Sequence, residues 1–330
     1  MLKKRIMLRN WTVAVLAAVL AAFGVARASN WPTRPVTMVV PFAAGGPTDV
    51  VGRILAGRLG DILKEQVIVV NVGGAGGMTG ADRVARARPD GYEVLLGTVG
   101  TQAYSQTLYK KPLYSATKDF ASVVLVAEQP LVLVTRKDFP ASSLKEFSAY
   151  AKANAAKLTF GSGGAGSATH LGCVLLNSKL GIKVQHVPYR GSAPALQDLM
   201  AGRIDYLCDA VSTELSPIKA GNVKPVAMLT ARRSAVLPAV PTAKEQGFAV
   251  DANNWIGLFF PRGTPEPIVH RLRDATVAAM NTPALRARME TIGTDLVAAD
   301  RTSPSYLQRY VASEIKKWAT PIKESGVTVD

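Results

Sequence analysis

Residues 36–49 read VTMVVPFAAGGPTD and predict a buried strand, a tight glycine-containing loop and the start of a helix. The apolar run 36–40 has the length of a strand. From residue 50 onward, apolar side chains recur at the three- and four-residue spacing of a helix. Pro47 suits the first helical turn, where its missing N–H costs no hydrogen bond. The segment therefore predicts an α/β unit with a loop at the carboxyl end of its strand.

The same alternation of strand and helix continues along the chain. Further strands are predicted at 67–70, 93–97, 122–128, 131–135, 158–160, 184–187, 204–208, 224–229 and 255–260. Further helices are predicted at 143–154, 169–180, 194–201, 267–280, 283–292 and 304–325. We expect Pro130 to separate the strands on either side of it. Strands that alternate with helices predict an α/β fold with largely parallel sheets.

Composition excludes several classes of protein. The chain has 330 residues, of which 48% are hydrophobic and 19% charged, so we expect a globular protein with two lobes rather than a disordered chain. The formal charge is +15, but the basic residues are scattered, which argues against a nucleic-acid partner. Acidic residues are absent from 29–48 and from 147–197. Such one-sided charge favours an anionic ligand, although a solvated surface would give the same pattern.

The N-terminus has the features of an export signal. Four basic residues among the first nine precede an apolar run at 11–25, and Ala26-Arg27-Ala28 then offers a small-x-small cleavage site. The run is shorter than the roughly 20 residues that span a bilayer. We expect residues 1–28 to be a signal peptide that is cleaved after Ala28, the alternative being an uncleaved anchor.

Few residues could hold a metal or form disulfides. The chain has two cysteines, Cys173 and Cys208, and three histidines, so we expect neither a metal site nor a disulfide-dense scaffold. Export would permit a bridge between the two cysteines. The sequence leaves open whether they form a disulfide or remain two buried thiols.

The loop at 41–49 is the first candidate binding element. Small residues, among them Ala44 and Gly45, let the backbone approach a ligand closely, and the free amides of the following helical turn can receive an anion. Thr48 offers a hydroxyl and Phe42 an apolar wall. The alternative is a tight turn that needs glycine for its geometry alone, with Asp49 complementing the helix dipole.

A second glycine-rich loop, GSGGAGSATH at 161–170, also lies between a predicted strand and a predicted helix. It matches G-x-G-x-x-G, but the next acidic residue is Asp198, too far along for a dinucleotide fold, so we expect no NAD and no other cofactor. The candidate ligand residues here are Gly163, Gly164, Gly166, Ser167 and His170. His170 would either bind the ligand or hold the loop.

Both loops follow the carboxyl ends of strands, which is where ligands bind in open parallel sheets. Two lobes that face each other through these loops would form a cleft with donors on both sides. The sequence has no nucleophile elbow, Walker loop, HExxH or CxxC motif, so we expect no catalytic residues and no enzymatic activity.

Short motifs in a fixed order give the chain a family resemblance. They are Trp31-Pro32 with PFAAGG at 41–46, PDGY at 89–92, KDF at 118–120, GGAGS at 163–167 with His170-Leu171, HVPYRG at 186–191, Leu237-Pro238 with VPT at 240–242, and GTP at 263–265. From Trp31 to about Val327 the chain resembles the Bug receptors, the extracytoplasmic substrate-binding proteins of tripartite tricarboxylate transporters.

The resemblance implies a type II periplasmic binding-protein fold with two Rossmann-like lobes and a hinge crossed twice. One lobe would comprise residues 29–129 and 251–330, and the other residues 130–250. A carboxylate would be held mainly by backbone amides, hydroxyls and ordered water from the loops Phe42 to Asp49 and Ser162 to His170. Thr98 is expected as a further hydrogen-bond donor in the cleft. Asp209 is expected either to face the cleft and receive a ligand group or to have a capping role.

The resemblance also implies a function in the periplasm. The receptor would capture a small carboxylate by closing its lobes and would pass it, as a monomer, to transporter membrane subunits on other chains. An alternative role is a sensor that presents its closed form to a membrane histidine kinase. The stretch Val99 to Ser105 departs from the family pattern, as do Cys173 and Cys208, which leaves the carboxylate class intact but its member open.

Overall fold

The computed structural model describes residues 30–329, so the expected signal peptide at 1–28 lies outside the described residues. The strands are β1 (Val36–Val40), β2 (Val67–Asn71), β3 (Glu93–Thr98), β4 (Phe120–Arg136), β5 (Thr159–Ser162), β6 (Gln185–Pro188), β7 (Tyr206–Ala210), β8 (Val223–Met228), β9 (Asn253–Pro261) and β10 (Asp295–Leu296). The α-helices are α1 (Pro47–Leu63), α2 (Met78–Ala85), α3 (Ser105–Leu108), α4 (Leu144–Asn154), α5 (Ala168–Leu180), α6 (Ser192–Met200), α7 (Val211–Lys219), α8 (Glu266–Met280), α9 (Pro283–Thr291) and α10 (Pro304–Glu324).

The strands form one continuous path in the order β2-β1-β3-β9-β4-β7-β5-β6, with β8 and β10 also paired to β4. Pairing is parallel at both ends of the path, where β1 lies between β2 and β3 and β5 lies between β6 and β7. Pairing is antiparallel in the middle, around β4 and β9. The expectation of largely parallel sheets is therefore correct for the two ends and wrong for the centre.

Strand β4 is continuous through Pro130, and the expected break there is wrong. Residues 120–130 pair with β9, and residues 131–136 pair with β7 and β8. Pro130 stands where the partner strand changes, so its missing N–H interrupts neither ladder. After β8 the chain returns to the half of the sheet that contains β9. At this crossing the Ala252 amide donates to the Leu229 carbonyl oxygen at 2.6 Å.

Burial explains why the first unit folds as its sequence predicts. Met38, Val39 and Val40 are fully buried, as expected for a parallel strand covered on both faces. In α1, Val51, Leu55 and Leu59 lie four residues apart on one helix face and are likewise fully buried. The strand and the helix thus hold the connecting loop rigidly from both sides.

Cys173 in α5 and Cys208 in β7 form a disulfide, with their Cα atoms 5.3 Å apart. Both residues are completely buried. The bridge ties α5 to the sheet it covers. Of the two states that the sequence left open, the structure therefore has the bonded one.

Candidate ligand-binding site

A small cavity lies where the carboxyl ends of several strands meet. Its volume is about 20 Å³, close to the smallest space that holds one water molecule. The lining residues are Phe42, Pro47, Thr48, Thr98, Gly163, Ser167, Ala168, Thr169, Ser192 and Asn254. They come from the end of β3, from the segments that follow β1, β5 and β6, and from the start of β9, so both halves of the sheet contribute.

Three helices begin at this cavity. Helix α1 contributes Pro47 and Thr48, α5 contributes its N-cap Ser167 with Ala168, and α6 contributes its first residue, Ser192. First-turn amides have no acceptor within their own helix and carry the positive end of its dipole. No lining side chain is charged. The positive groups at the lining are therefore backbone amides of the helix N-termini, which suit a small anion.

The first glycine loop is fixed by Asp49. Its carboxylate accepts hydrogen bonds from the Gly45 amide, Arg53 Nε and Asn71 Nδ2, all at 2.9 Å. Burial alone would raise the pKa of Asp49, but the bonds from Arg53, Gly45 and Asn71 outweigh it and lower that pKa. Gly45 has φ +82°, a left-handed conformation that favours glycine. The Asp49 side chain thus shapes the loop and does not line the cavity.

The second glycine loop is held by hydroxyl groups. Thr169 Oγ1 accepts from the Gly163 amide at 2.8 Å, and Ser162 Oγ accepts from the Gly164 amide at 3.0 Å. Ser167 Oγ accepts from the His170 amide at 3.2 Å and shares a hydrogen bond with Thr169 Oγ1 at 3.0 Å. Ser167 is therefore both the N-cap of α5 and part of the cavity wall.

His170 supports this loop from behind. Its Nδ1 accepts from the Gly166 amide at 3.2 Å, and its ring stacks on His186 with centroids 4.1 Å apart. Burial, with a smaller effect of His186, lowers the pKa of His170 to about 3. Burial lowers the pKa of His186 to about 4. Both rings are neutral at pH 7 and add no charge to the site.

The two halves of the molecule touch beside the cavity. The Ala43 amide donates to the Arg190 carbonyl oxygen at 2.9 Å, and Tyr109 Oη donates to the Ala165 carbonyl oxygen at 2.9 Å. Gly76 lies so close to Ala165 that a Cβ atom on Gly76 would overlap that carbonyl oxygen. These contacts join loops from opposite halves of the sheet, so the structure shows them closed on each other.

Two buried carboxyl groups lie behind Ser192. Asp209 Oδ1 accepts from Ser192 Oγ at 3.0 Å and from the Ala210 amide at 2.7 Å. Asp209 Oδ2 and both Glu214 carboxyl oxygens have no N–H or hydroxyl donor among residues 30–329, so these oxygens of the two carboxyl groups can pair only with each other, by sharing a proton. Burial raises the pKa of Asp209 to about 6. Burial, together with the nearby Asp209, raises the pKa of Glu214 well above its usual range.

The structure brings together some of the predicted ligand residues. Those that line the cavity are Phe42, Thr48, Thr98, Gly163 and Ser167. Those that lie outside its lining are Ala44, Gly45, Asp49, Gly164, Gly166, His170 and Asp209. For each of these twelve residues, contact with a ligand stays a prediction.

Sequence reasoning missed Ser192 and Asn254. Ser192 had a detectable signal, because Gly191-Ser192 follows the predicted strand 184–187 and precedes a helix, which makes a third strand–loop–helix junction. Asn254 had none, since an asparagine at the start of a strand carries no pattern of its own. Its position at the cavity depends on how β9 pairs with β4.

Two further structural findings concern the described part of the chain. Within residues 30–329, no helix has both the length and the hydropathy needed to cross a membrane. The same residues contain no group of three His, Cys, Asp or Glu side chains placed to hold a metal ion.

Two α/β lobes joined by two crossings, with helix N-termini from both lobes around one cavity, define a binding protein for a small solute. Residues 51–327 match the family model described as the tripartite tricarboxylate transporter family receptor. The chain belongs to this family, and its fold is the two-lobed periplasmic binding-protein fold.

Similar proteins cover nearly the whole chain. A protein from the ttuE–ttuC′ intergenic region of Agrobacterium vitis is 40% identical over 95% of this chain and 91% of its own length. The structure of the periplasmic binding protein BugD is 39% identical, with a TM-score of 0.88, covering 90% of this chain and 99% of BugD. MatC from Rhodopseudomonas palustris, solved with bound malate, is 38% identical, with a TM-score of 0.86, covering 88% of this chain and 100% of MatC.

Proposed function

We propose that the protein is a periplasmic receptor that captures a small carboxylate and delivers it to the membrane subunits of a tripartite tricarboxylate transporter. The observation that carries this proposal is the convergence of the N-termini of α1, α5 and α6 on one cavity without a charged side chain. Malate in the related MatC is a carboxylate, which agrees with this chemistry. Delivery to a transporter is supported by family membership.

The proposed mechanism is hinged capture. One lobe comprises residues 29–129 and 251–330, the other residues 130–250, and the crossings lie at Pro130 and between 229 and 252. The change of partner strand at Pro130 supports the first of these boundaries. Because the closed cavity holds about one water molecule, an acid enters only after the lobes separate, and the lobes then close around it less tightly than in the empty closed form. Export would occur through cleavage after Ala28, before the described residues.

In the bound state, backbone amides and hydroxyls take the place of the ligand's hydration shell. The first-turn amides of α1 and α5 face the carboxylate from opposite lobes, and the hydroxyls of Thr48 and Ser167 add donors. Hydrogen bonds to an ionised acceptor are about twice as strong as neutral ones, and exclusion of water strengthens them further. The ligand thereby links the lobes and stabilises the closed form.

Thermal unfolding in the presence of small carboxylates tests this function. A ligand at 100 times its dissociation constant stabilises the native state by about 2.7 kcal/mol, a shift of several degrees. Thr48→Val, which removes a cavity hydroxyl from the second position of α1, should reduce the shift. Ser305→Ala removes a hydroxyl from the second position of α10, an exposed site, and should leave it unchanged. Equal shifts in the two variants would contradict the site, and a flat response to every acid would contradict the function.

A further inference from the structure

Among the residues that line the cavity, Asn254 is the one with a side-chain amide. It lies at the start of β9, directly opposite Gln129 of β4, and only 4% of it is exposed. Its Nδ2 donates to Gln129 Oε1 at 2.9 Å. The orientation of this amide depends on the orientation of Gln129.

Gln129 is held in one orientation by groups from both lobes. Its Nε2 donates to the Pro47 carbonyl oxygen at 3.2 Å and to Ser212 Oγ at 3.1 Å. A backbone carbonyl can only accept, so the nitrogen of Gln129 must face Pro47 and its oxygen must face Asn254. Asn254 therefore presents its nitrogen to Gln129 and cannot flip without losing that bond.

The consequence is a buried acceptor at the cavity. Asn254 Oδ1 has no hydrogen-bond partner among residues 30–329, although almost no solvent reaches it. A buried polar atom left unpaired destabilises the closed form, because it loses its hydrogen bonds to water and gains none in return. The helix amides around the cavity are donors and suit carboxylate oxygens, whereas Asn254 Oδ1 can only accept. A bare carboxylate would leave this oxygen unpaired.

We propose that Asn254 selects ligands that carry a hydroxyl group close to the carboxylate, so that the substrate class is a hydroxycarboxylate. The inference rests on the proposed function. The hydroxyl would donate to Asn254 Oδ1 while the carboxylate meets the helix N-termini. An ammonium group fits less well, because the positive helix ends repel it and the Asp209 carboxyl lies behind Ser192 and not in the lining.

Matched acid pairs test the selection. Titration calorimetry would compare malate with succinate, lactate with propionate, and glycolate with acetate, each pair differing in one hydroxyl. We expect the hydroxylated member of any pair that binds to bind at least tenfold more tightly. Equal affinity within the binding pairs would overturn the inference and leave the proposed function intact, whereas no binding by any acid would overturn both. Aspartate binding more tightly than malate would overturn the choice of hydroxyl over ammonium.

Variants at neighbouring strand positions supply the second measurement. Asn254→Leu removes the acceptor and should lower the hydroxylated-to-plain affinity ratio towards one. Asn253→Leu removes an equally unpaired amide oxygen one residue earlier, where the side chain lines a separate groove with Glu128 and Arg301, and should keep the wild-type ratio. An unchanged ratio in Asn254→Leu would overturn the inference. If Asn254→Leu does not fold, the hydroxylated-to-plain affinity ratio of the wild-type protein still tests the inference.

Discussion

Tyr109 Oη donates to the carbonyl oxygen of Ala165 at 2.9 Å and so joins the lobe that contains β1 to the glycine loop that begins α5. Tyr109 lies just after α3, and Ala165 lies between two glycines with positive φ angles. The bond can exist only while the lobes are closed. The bond therefore stabilises the closed form relative to the open form.

Tyr109→Phe should weaken ligand binding without a matching loss of fold stability. A neutral hydrogen bond contributes about 1 kcal/mol, which corresponds to about a fivefold increase in the dissociation constant. Tyr92→Phe is the control, because its hydroxyl bonds to Thr33 within one lobe. Titration with the tightest-binding acid of the panel measures both variants, and an affinity for Tyr109→Phe equal to that of the control would argue against this bond as a closing contact.

Gly76→Ala should prevent closure. A methyl group at this position would overlap the Ala165 carbonyl oxygen, so the lobes would stay apart and affinity should fall at least tenfold. Gly221→Ala is the control, because Gly221 has a similar positive φ, +70° against +61° at Gly76, but no atom lies within 4 Å of the added carbon. Small-angle scattering with and without ligand should show compaction in Gly221→Ala and none in Gly76→Ala. Compaction of both would show that the lobes tolerate the methyl group.

Glu214→Gln should change how stability depends on pH. Because burial raises the folded-state pKa of Glu214, the native state keeps a proton that the unfolded state loses above about pH 4.5. The wild-type protein therefore loses stability as the pH rises through this range, by up to about 1.4 kcal/mol per pH unit, and the glutamine variant lacks that loss. In urea unfolding from pH 4.5 to 8, the free energy of unfolding of Glu214→Gln should rise relative to that of the wild type. Glu324→Gln, at an exposed site, should differ from the wild type by a constant amount over this range. A constant difference for Glu214→Gln would contradict the burial account.

Reduction of the Cys173–Cys208 bridge should destabilise the fold. The bridged residues are 35 positions apart. A closed loop of that length lowers the conformational entropy of the unfolded chain and so raises the free energy of unfolding by about 4 kcal/mol. Urea unfolding with and without a reductant measures the difference. The double variant Cys173→Ala/Cys208→Ala should not respond to the reductant, and a wild-type protein that does not respond either would mean that the bridge contributes nothing.

The sequence predicts most individual elements well, because each has a local cause. The strand 36–40 and the helix that follows it show clear apolar periodicity and lie as expected. The continuity of β4 and the helix α7 were missed. Pro130 is tolerated only because β4 changes partner there, and α7 contains Pro217, which local rules exclude from a helix interior. The continuity of β4 depends on pairing with distant strands, which a linear pattern does not contain.

The residues of the candidate site also fall into two groups, those with a local sequence signal and those whose position depends on distant segments. Glycine loops after strands predict a cavity lined by helix amides, and Thr48 and Ser167 follow from that rule. The role of Asp49 as a loop anchor and the position of Asn254 follow from pairings across the sheet, with Asn71 and Gln129. A linear pattern does not contain these pairings, so only the folded structure separates ligand-facing groups from supporting ones.

In the proposed mechanism, backbone amides of both lobes recognise the charge of a carboxylate. The most direct measurement is titration calorimetry of the protein, unfolded and refolded to remove bound solutes, against the carboxylates of the panel and their neutral primary amides. At least one acid should bind, with compaction of the protein in solution, and the primary amide of that acid should not bind. Equal binding of acid and amide, or no binding of any acid, would contradict this mechanism.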